Sequence, residues 1–413
     1  YAVWSGAAFG VGSGRQEENE AQARPTQTTM SDLRIAVIGY GNMGRYHAAY
    51  LKEGKIPGAT LGAIVDNNPT VLAQAKEKYE DVPVFESTEA LLEARAADIV
   101  IVAVPHYFHP PLAIKALNAG VHALVEKPAG AYTKQVRELN EVAAKSNLVF
   151  GIMFNQRTNA AHQKMRDLVA SGELGTLKRT LYVITDWTRS QAYYDSGGWR
   201  ATWEGEGGGV LLNQAPHNLD LLQWITGMPS RVRGFCKFGR YHNIEVEDDV
   251  TAYLQYENGA SGVFITTTGE APGTKYFEVV GDRGKIVLRD GGVTFHRTVT
   301  PVSKFIAETP DGFGQPETWT CEINARGGEE HIGITKNFVN AVLNGSPLLA
   351  SGLEGINGTE LANAMILSSW IDAWVDLPLN GDLYYEKLQE HVKASTIKKE
   401  VTEQKVANVA GTF

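Results

Sequence analysis

Along the first third of the chain, apolar and polar residues follow two rhythms that take turns. Short runs rich in apolar and β-branched residues recur at Leu33–Ile38, Thr60–Val65, Val84–Phe85, Asp98–Val104 and His122–Val125. Runs this short predict buried strands. Arg45–Lys52, Val71–Tyr79, Thr88–Arg95 and Pro111–Ala119 fall between them and read as helices. Strand and helix alternating at this spacing predict a parallel sheet with helices on both faces. The alternation breaks after Val149–Met153. Strands then follow one another at Thr180–Thr185, Val250–Tyr256, Gly262–Thr268, Tyr276–Val280 and Lys285–Leu288, the last two joined by a hairpin turn at Gly281-Asp282-Arg283-Gly284. His331–Leu343 and Glu354–Trp374 read as late helices that pack on or near the first layer. The predicted fold class is α/β, a doubly wound parallel sheet followed by a separate α+β layer.

The two ends lack these rhythms. Tyr1–Gly14 is rich in Gly and Ala, Arg15–Thr29 is polar without a hydrophobic period, and Met30 stands just before the first strand. Residues 1–32 are read as an extension, disordered or artificially added. A signal peptide fits less well because no basic region precedes the apolar part, although a processed remnant of one stays open. From Lys387 the chain turns polar and charged, and 387–413 is read as a tail. The 413 residues exceed one ordinary core, and the change of rhythm divides them into domains at 33–150 and 151–386.

Composition narrows the function classes. Hydrophobic residues at 43% and charged residues at 21% are those of a soluble globular protein. A net charge of -9 argues against a nucleic-acid partner and against an anionic membrane surface. No run of about 18 apolar residues predicts a membrane span. Cys236 and Cys321 are too few for a disulfide framework, and free thiols in a reducing, cytoplasmic setting are expected.

Candidate chemistry gathers at the strand ends. Gly39-Tyr40-Gly41-Asn42-Met43-Gly44 lies between the first strand and the first helix. There Gly39 permits a tight turn, Gly41 lets the backbone approach a pyrophosphate, and Gly44 lets helix and strand pack closely. The pyrophosphate is expected at the helix start. Asp66 ends the second strand, about 20 residues on, where an acid accepts hydrogen bonds from ribose hydroxyls. Its charge would repel a 2′-phosphate, and Asn67 and Asn68 follow it where an Arg could have stood, which favours NAD over NADP. Pro105-His106-Tyr107-Phe108-His109 and Glu126-Lys127-Pro128 sit at the ends of later strands. No Cys or further His lies near His106 and His109, so ribose contact or helix capping is preferred to a metal pair. Lys127, a cation just past a buried strand, suits oxidation of an alcohol beside a nicotinamide.

Residues 33 to about 375 resemble the Gfo/Idh/MocA oxidoreductases. The matching pieces are the glycine motif, Ile99–Val104 ending in Pro105, Glu126-Lys127-Pro128, and Gly207-Gly208-Gly209 leading to His217-x-x-Asp220. The resemblance implies a Rossmann domain, then a domain built on a large, open, mostly antiparallel sheet, with a second subunit covering that sheet as a homodimer or homotetramer. It implies NAD contacts from Gly39, Gly41, Asn42, Met43, Gly44, Asp66, Pro105, His109, Glu126 and Lys127. It places the catalytic histidine at His217, as general base, with Lys127 stabilising the alkoxide and no metal required. Many members carry Asp where Asn213 stands. Asn cannot take a proton, so Asn213 is assigned to substrate positioning and His217 carries base duty alone. Tyr193, Trp199, Arg200 and Arg157 are counted with the substrate contacts. The aromatic segment Asp186–Trp203 suits a sugar, whose apolar faces stack on rings. Ordinary interdomain packing is the competing explanation for those rings. The expected substrate is a sugar, glycoside or inositol, with C3 of a glucoside favoured because Asn213–His217 is similar to glycoside-oxidising members. Two other readings stay open, an NAD-dependent glycosidase acting by oxidation and elimination without net redox, and a non-enzymatic NAD-binding protein.

Overall fold

Fifteen strands and twelve helices are arranged around two sheets in a computed structural model that describes residues 32–310 and 312–397. The first half alternates β1 (Leu33–Ile38), α1 (Asn42–Lys52), β2 (Ala59–Val65), α2 (Pro69–Lys78), β3 (Val84–Phe85), α3 (Thr88–Glu93), β4 (Ile99–Val102), α4 (His109–Asn118), β5 (His122–Val125), α5 (Thr133–Lys145) and β6 (Phe150–Ile152). These strands form one parallel sheet in the order β3-β2-β1-β4-β5-β6, the Rossmann order. Successive residues serve opposite faces. Ile35, Val37, Ile99, Ile101 and Leu124 feed one core, while Ala36, Ile38, Val100, Val102 and Val125 feed the other. Burial on both faces explains why these strands are apolar throughout rather than alternating.

The second half comprises α6 (Ala160–Ala170), β7 (Leu177–Ile184), α7 (Gln191–Asp195), α8 (Pro216–Thr226), β8 (Arg231–Phe238), β9 (Glu247–Gln255), β10 (Ser261–Thr267), β11 (Lys275–Gly281), β12 (Gly284–Arg289), β13 (Gly292–Thr298), α9 (Val302–Glu308), β14 (Thr318–Ile323), α10 (Glu330–Asn344), α11 (Gly355–Ile371), β15 (Val375–Asp376) and α12 (Gly381–Ala394). Its nine strands run β14-β13-β12-β11-β7-β10-β9-β8-β15, all antiparallel except β10 beside β7. The predicted hairpin closes with Gly281 opposite Gly284. One face packs on α6, α8 and α11, with Met165, Leu219, Leu222 and Met365 in the same core as Tyr182, Phe264 and Phe277. Helix α10 returns to the first sheet, where Ile334, Phe338 and Val339 join its core.

Two expectations change at the ends. The extension at 1–32 lies outside the described residues except for Asp32. The tail predicted from Lys387 is helical as far as Ala394, because α12 buries Tyr384 and Leu388 completely. From Glu386 on, its residues are mostly polar or charged, which is why the sequence hid the end of the helix. Beyond residue 397 the expected tail also lies outside the described residues.

Candidate active site

The glycine turn is built as its spacing requires. Gly39 has φ +90, and a Cβ there would lie 2.4 Å from the Ala103 carbonyl oxygen. A Cβ on Gly44 would lie 1.8 Å from the Gly39 carbonyl oxygen, so only glycine lets α1 sit this close to the turn. Gly41 is different, since a Cβ there meets nothing within 4 Å. It opens α1 in extended conformation, and no side chain caps the helix. The first N–H groups of α1, from Asn42, Met43 and Gly44, lack intrahelical acceptors, and the space beside Gly41 suits a pyrophosphate. Asp66 closes the cradle. Its carboxylate accepts from Tyr40 N–H at 2.8 Å and from Asn68 N–H at 2.9 Å, which fixes it beside the turn.

The Glu126-Lys127 pair projects from the end of β5. Glu126 is buried, accepts from its own neighbour's Lys127 N–H at 3.1 Å and lies 2.7 Å from His47 Nε2. Burial alone would push its carboxyl up. The hydrogen bond and charge of His47, with His331 and Lys127 nearby, overcome that and hold it at about 2. Glu126 thus anchors the turn from behind, occupied by protein groups where cofactor contact was expected. His109 behaves alike. Its ring nitrogens lie 2.7 Å from the Pro128 and Val104 carbonyl oxygens, so protein groups lie against both of them at the β4 and β5 ends. Pro105 opens the short turn His106–Phe108 next to them.

Lys127 is half-buried and donates from Nζ to the Asn213 carbonyl oxygen at 3.0 Å. Burial lowers its pKa, with Glu126 and Glu206 opposing and Arg200 and Arg189 reinforcing the fall. His217 stands in the first turn of α8, where Pro216 at the helix start fits because its missing N–H had no intrahelical partner. Its ring is 5% exposed, and neither ring nitrogen has a hydrogen-bond partner among the described residues. Burial first, then the charge of Lys127, hold its pKa well below 6.5. A buried imidazole with two unsatisfied nitrogens beside an ammonium is costly unless a ligand completes it.

Asn213, Tyr193 and Arg200 meet. Tyr193 Oη donates to Asn213 Oδ1 at 3.1 Å and accepts from Arg200 at 3.0 Å. The Arg200 guanidinium lies over the rings of Tyr193 and Trp199, and Trp199 meets His106 edge-on. Trp203 belongs elsewhere, packed against Trp370 and His391. Arg157 also departs from expectation. It is fully buried, with Nε and Nη2 on Asp220 at 2.9 and 2.6 Å and Nη1 on Glu354 at 2.5 Å. Every face of its guanidinium is taken, so it braces α8 instead of touching substrate.

One site residue was missed. Glu206 is 1% exposed and accepts a hydrogen bond from the Asn213 side-chain amide. In sequence it is an acid among glycines, which reads as a solvated turn. Its spacing ahead of Asn213 was the only available signal. Nearby, Glu247 accepts from Gly209 and Leu211 N–H at 2.8 and 3.0 Å, fixing the glycine run, and burial pushes its carboxyl up to about 7.

Comparison with known proteins gives the family of the chain. Residues 33–154 match the family model described as an oxidoreductase family with an NAD-binding Rossmann fold, and 162–287 match the GFO/IDH/MocA C-terminal domain. The chain is 29% identical to D-glucoside 3-dehydrogenase of Escherichia coli over 247 residues, 56% of this chain and 69% of that protein. It is 23% identical to levoglucosan dehydrogenase of Pseudarthrobacter phenanthrenivorans over 394 residues, 84% of this chain and 99% of that protein. The structure of the WlbA dehydrogenase from Chromobacterium violaceum, in complex with NADH and UDP-GlcNAcA, superposes with a TM-score of 0.72 at 27% identity. That match covers 85% of this chain and 98% of the other.

Proposed function

The chain belongs to the Gfo/Idh/MocA oxidoreductase family, and from that premise we propose that it is an NAD-dependent dehydrogenase of a ring secondary alcohol in a sugar, glycoside or inositol. The observation that carries this is His217, whose two orphaned ring nitrogens lie in a buried site beside Lys127. NAD, when bound, supplies the hydride acceptor. The open face of the glycine turn suits its pyrophosphate, and Asp66 suits an unphosphorylated ribose.

His217 takes the hydroxyl proton. Burial and the Lys127 charge keep the ring neutral, so a nitrogen lone pair is available. Lys127 steadies the oxygen as negative charge develops on it. Asn213, Tyr193, Trp199 and Arg200 hold and orient the ring. Within this class, oxidation at C3 of a glucoside is favoured, supported by the likeness to D-glucoside 3-dehydrogenase. The outward face of the nine-stranded sheet is assigned to a second copy of the chain.

The test is the rise of NADH absorbance against a panel of sugars, glycosides and inositols. A rise with at least one glucoside or inositol is expected, and none with any member overturns the proposal. Release of aglycone without NADH would instead point to oxidation and elimination without net redox.

A further inference from the structure

Glu206 sits where three parts of the site meet. Its Oε2 accepts from Ala201 N–H in the aromatic segment at 2.5 Å, and its Oε1 accepts from Asn213 Nδ2. Its carbonyl oxygen lies 3.2 Å from His106 Nδ1 beyond β4. A carboxylate accepts and cannot donate, so it dictates which end of the Asn213 amide faces it. The amide oxygen must then turn to Tyr193 Oη and Gln214 Nε2, each at 3.1 Å. The carbonyl of the same Asn213 receives Lys127 Nζ.

The charges around Lys127 show why an acid is needed here. Arg189 and Arg200 approach from the aromatic segment, while His106 and His109 beyond β4, His217 on α8 and His331 on α10 are pushed toward the neutral form by burial. Among the described residues, Glu126 and Glu206 are the acids that oppose the two arginines most. Glu126 is already engaged by His47 and by the Lys127 backbone N–H.

We propose that Glu206 is a positioning residue of this site: its carboxylate orients the Asn213 amide and serves as the counter-ion of Lys127. The inference rests on the roles proposed above for Lys127 and Asn213. Glu206 touches neither reacting atom and acts through those two. In the mirror arrangement, an acid at 213 and an amide at 206, the same hydrogen bond forms with the charge moved across it.

The experiment compares the full chain with Glu206→Gln, Asn213→Asp and the double variant. Lys127 reactivity toward acetic anhydride is followed against pH by peptide mass spectrometry, which needs no substrate. Glu206→Gln is expected to move the Lys127 transition about one pH unit or more lower, the usual effect of losing a close counter-ion. The double variant is expected to restore it. In turnover, the alkaline limb of kcat/KM for Glu206→Gln moves the same way, with NADH affinity unchanged. An unshifted Lys127 transition in Glu206→Gln overturns the proposal, as does a double variant no better than the single one. Should Glu206→Gln fail to fold, Glu206→Asp takes its place, expected to keep the charge and the pH transition while losing turnover, and a shifted transition there counts against the proposal. Failure of the dehydrogenase reading shows separately, as wild-type protein that labels as expected and oxidises nothing.

Discussion

In the roles proposed for them, His217 and Lys127 need opposite charge states, and burial helps one while hindering the other. His217 must be neutral to accept a proton, and both burial and the Lys127 charge favour that. Lys127 must be cationic, and burial pulls it below its usual 10.5. Activity should therefore persist on the acid side well below pH 6.5, falling only as pH drops through the lowered His217 value. On the alkaline side it should fall as pH rises through the lowered Lys127 value, short of 10.5. Lys127→Ala removes the cation beside His217, so the acid limb should move up toward 6.5 while kcat drops about 10²–10³-fold. A kcat/KM profile whose acid limb already lies above 6.5 in the wild type would contradict this. Both residues were legible in the sequence because they sit in motifs. Glu206 was not, because a buried acid and a solvated one look alike until folding brings Asn213 against it. Arg157 was misplaced for the converse reason, since only the fold reveals that Asp220 and Glu354 occupy it.

At the scale of elements, the position of α8 is what presents His217. Asp220, one turn further along α8, is bound by Arg157 from the end of β6, and Arg157 reaches on to Glu354 beside α11. Burial keeps the Asp220 carboxyl above its ordinary value even with Arg157 against it. Arg157→Ala would leave that carboxylate with Gln223 alone. The expected loss is about 3–5 kcal/mol near neutral pH, the cost of stranding a buried charge. Urea unfolding measures it, and a loss under about 1 kcal/mol would show that α8 is held by packing alone. Strand identities were legible where a short apolar run stands between polar segments, as in β1 and β2. They were not in β8, where Gly234 interrupts a run alternating charged and apolar residues. The structure explains that glycine, since a Cβ there would lie 2.2 Å from the Met365 carbonyl oxygen of α11. The helix lies directly on the strand, and the contact that selects glycine is distant in sequence.

Over the whole molecule, the first sheet was readable as a sequence of local alternations, whereas the second depends on pairings between distant segments. Strand β7 lies between β10 and β11, and β15 joins the far edge beside β8. No periodicity encodes that order. What periodicity does encode is the inequality of the two faces. On the inner face Tyr182, Phe264, Phe277 and Val279 are buried, while on the outer face Leu181, Val183, Val263, Ile265 and Val280 stay half-exposed and Phe235 and Tyr253 are exposed. Branched apolar residues at the centre of a sheet face are costly to leave in water, and contiguous patches of them mark association surfaces. Val183 and Ile265 are direct cross-strand partners on the two central strands. Lysine at both positions would set like charges side by side in the middle of that face. Static light scattering should give a dimer or tetramer for the wild-type chain and a monomer for Val183→Lys/Ile265→Lys, with NADH binding kept because the first sheet is untouched. A wild-type monomer at micromolar concentration, or a double variant of unchanged mass, would remove the outer face as the site of assembly.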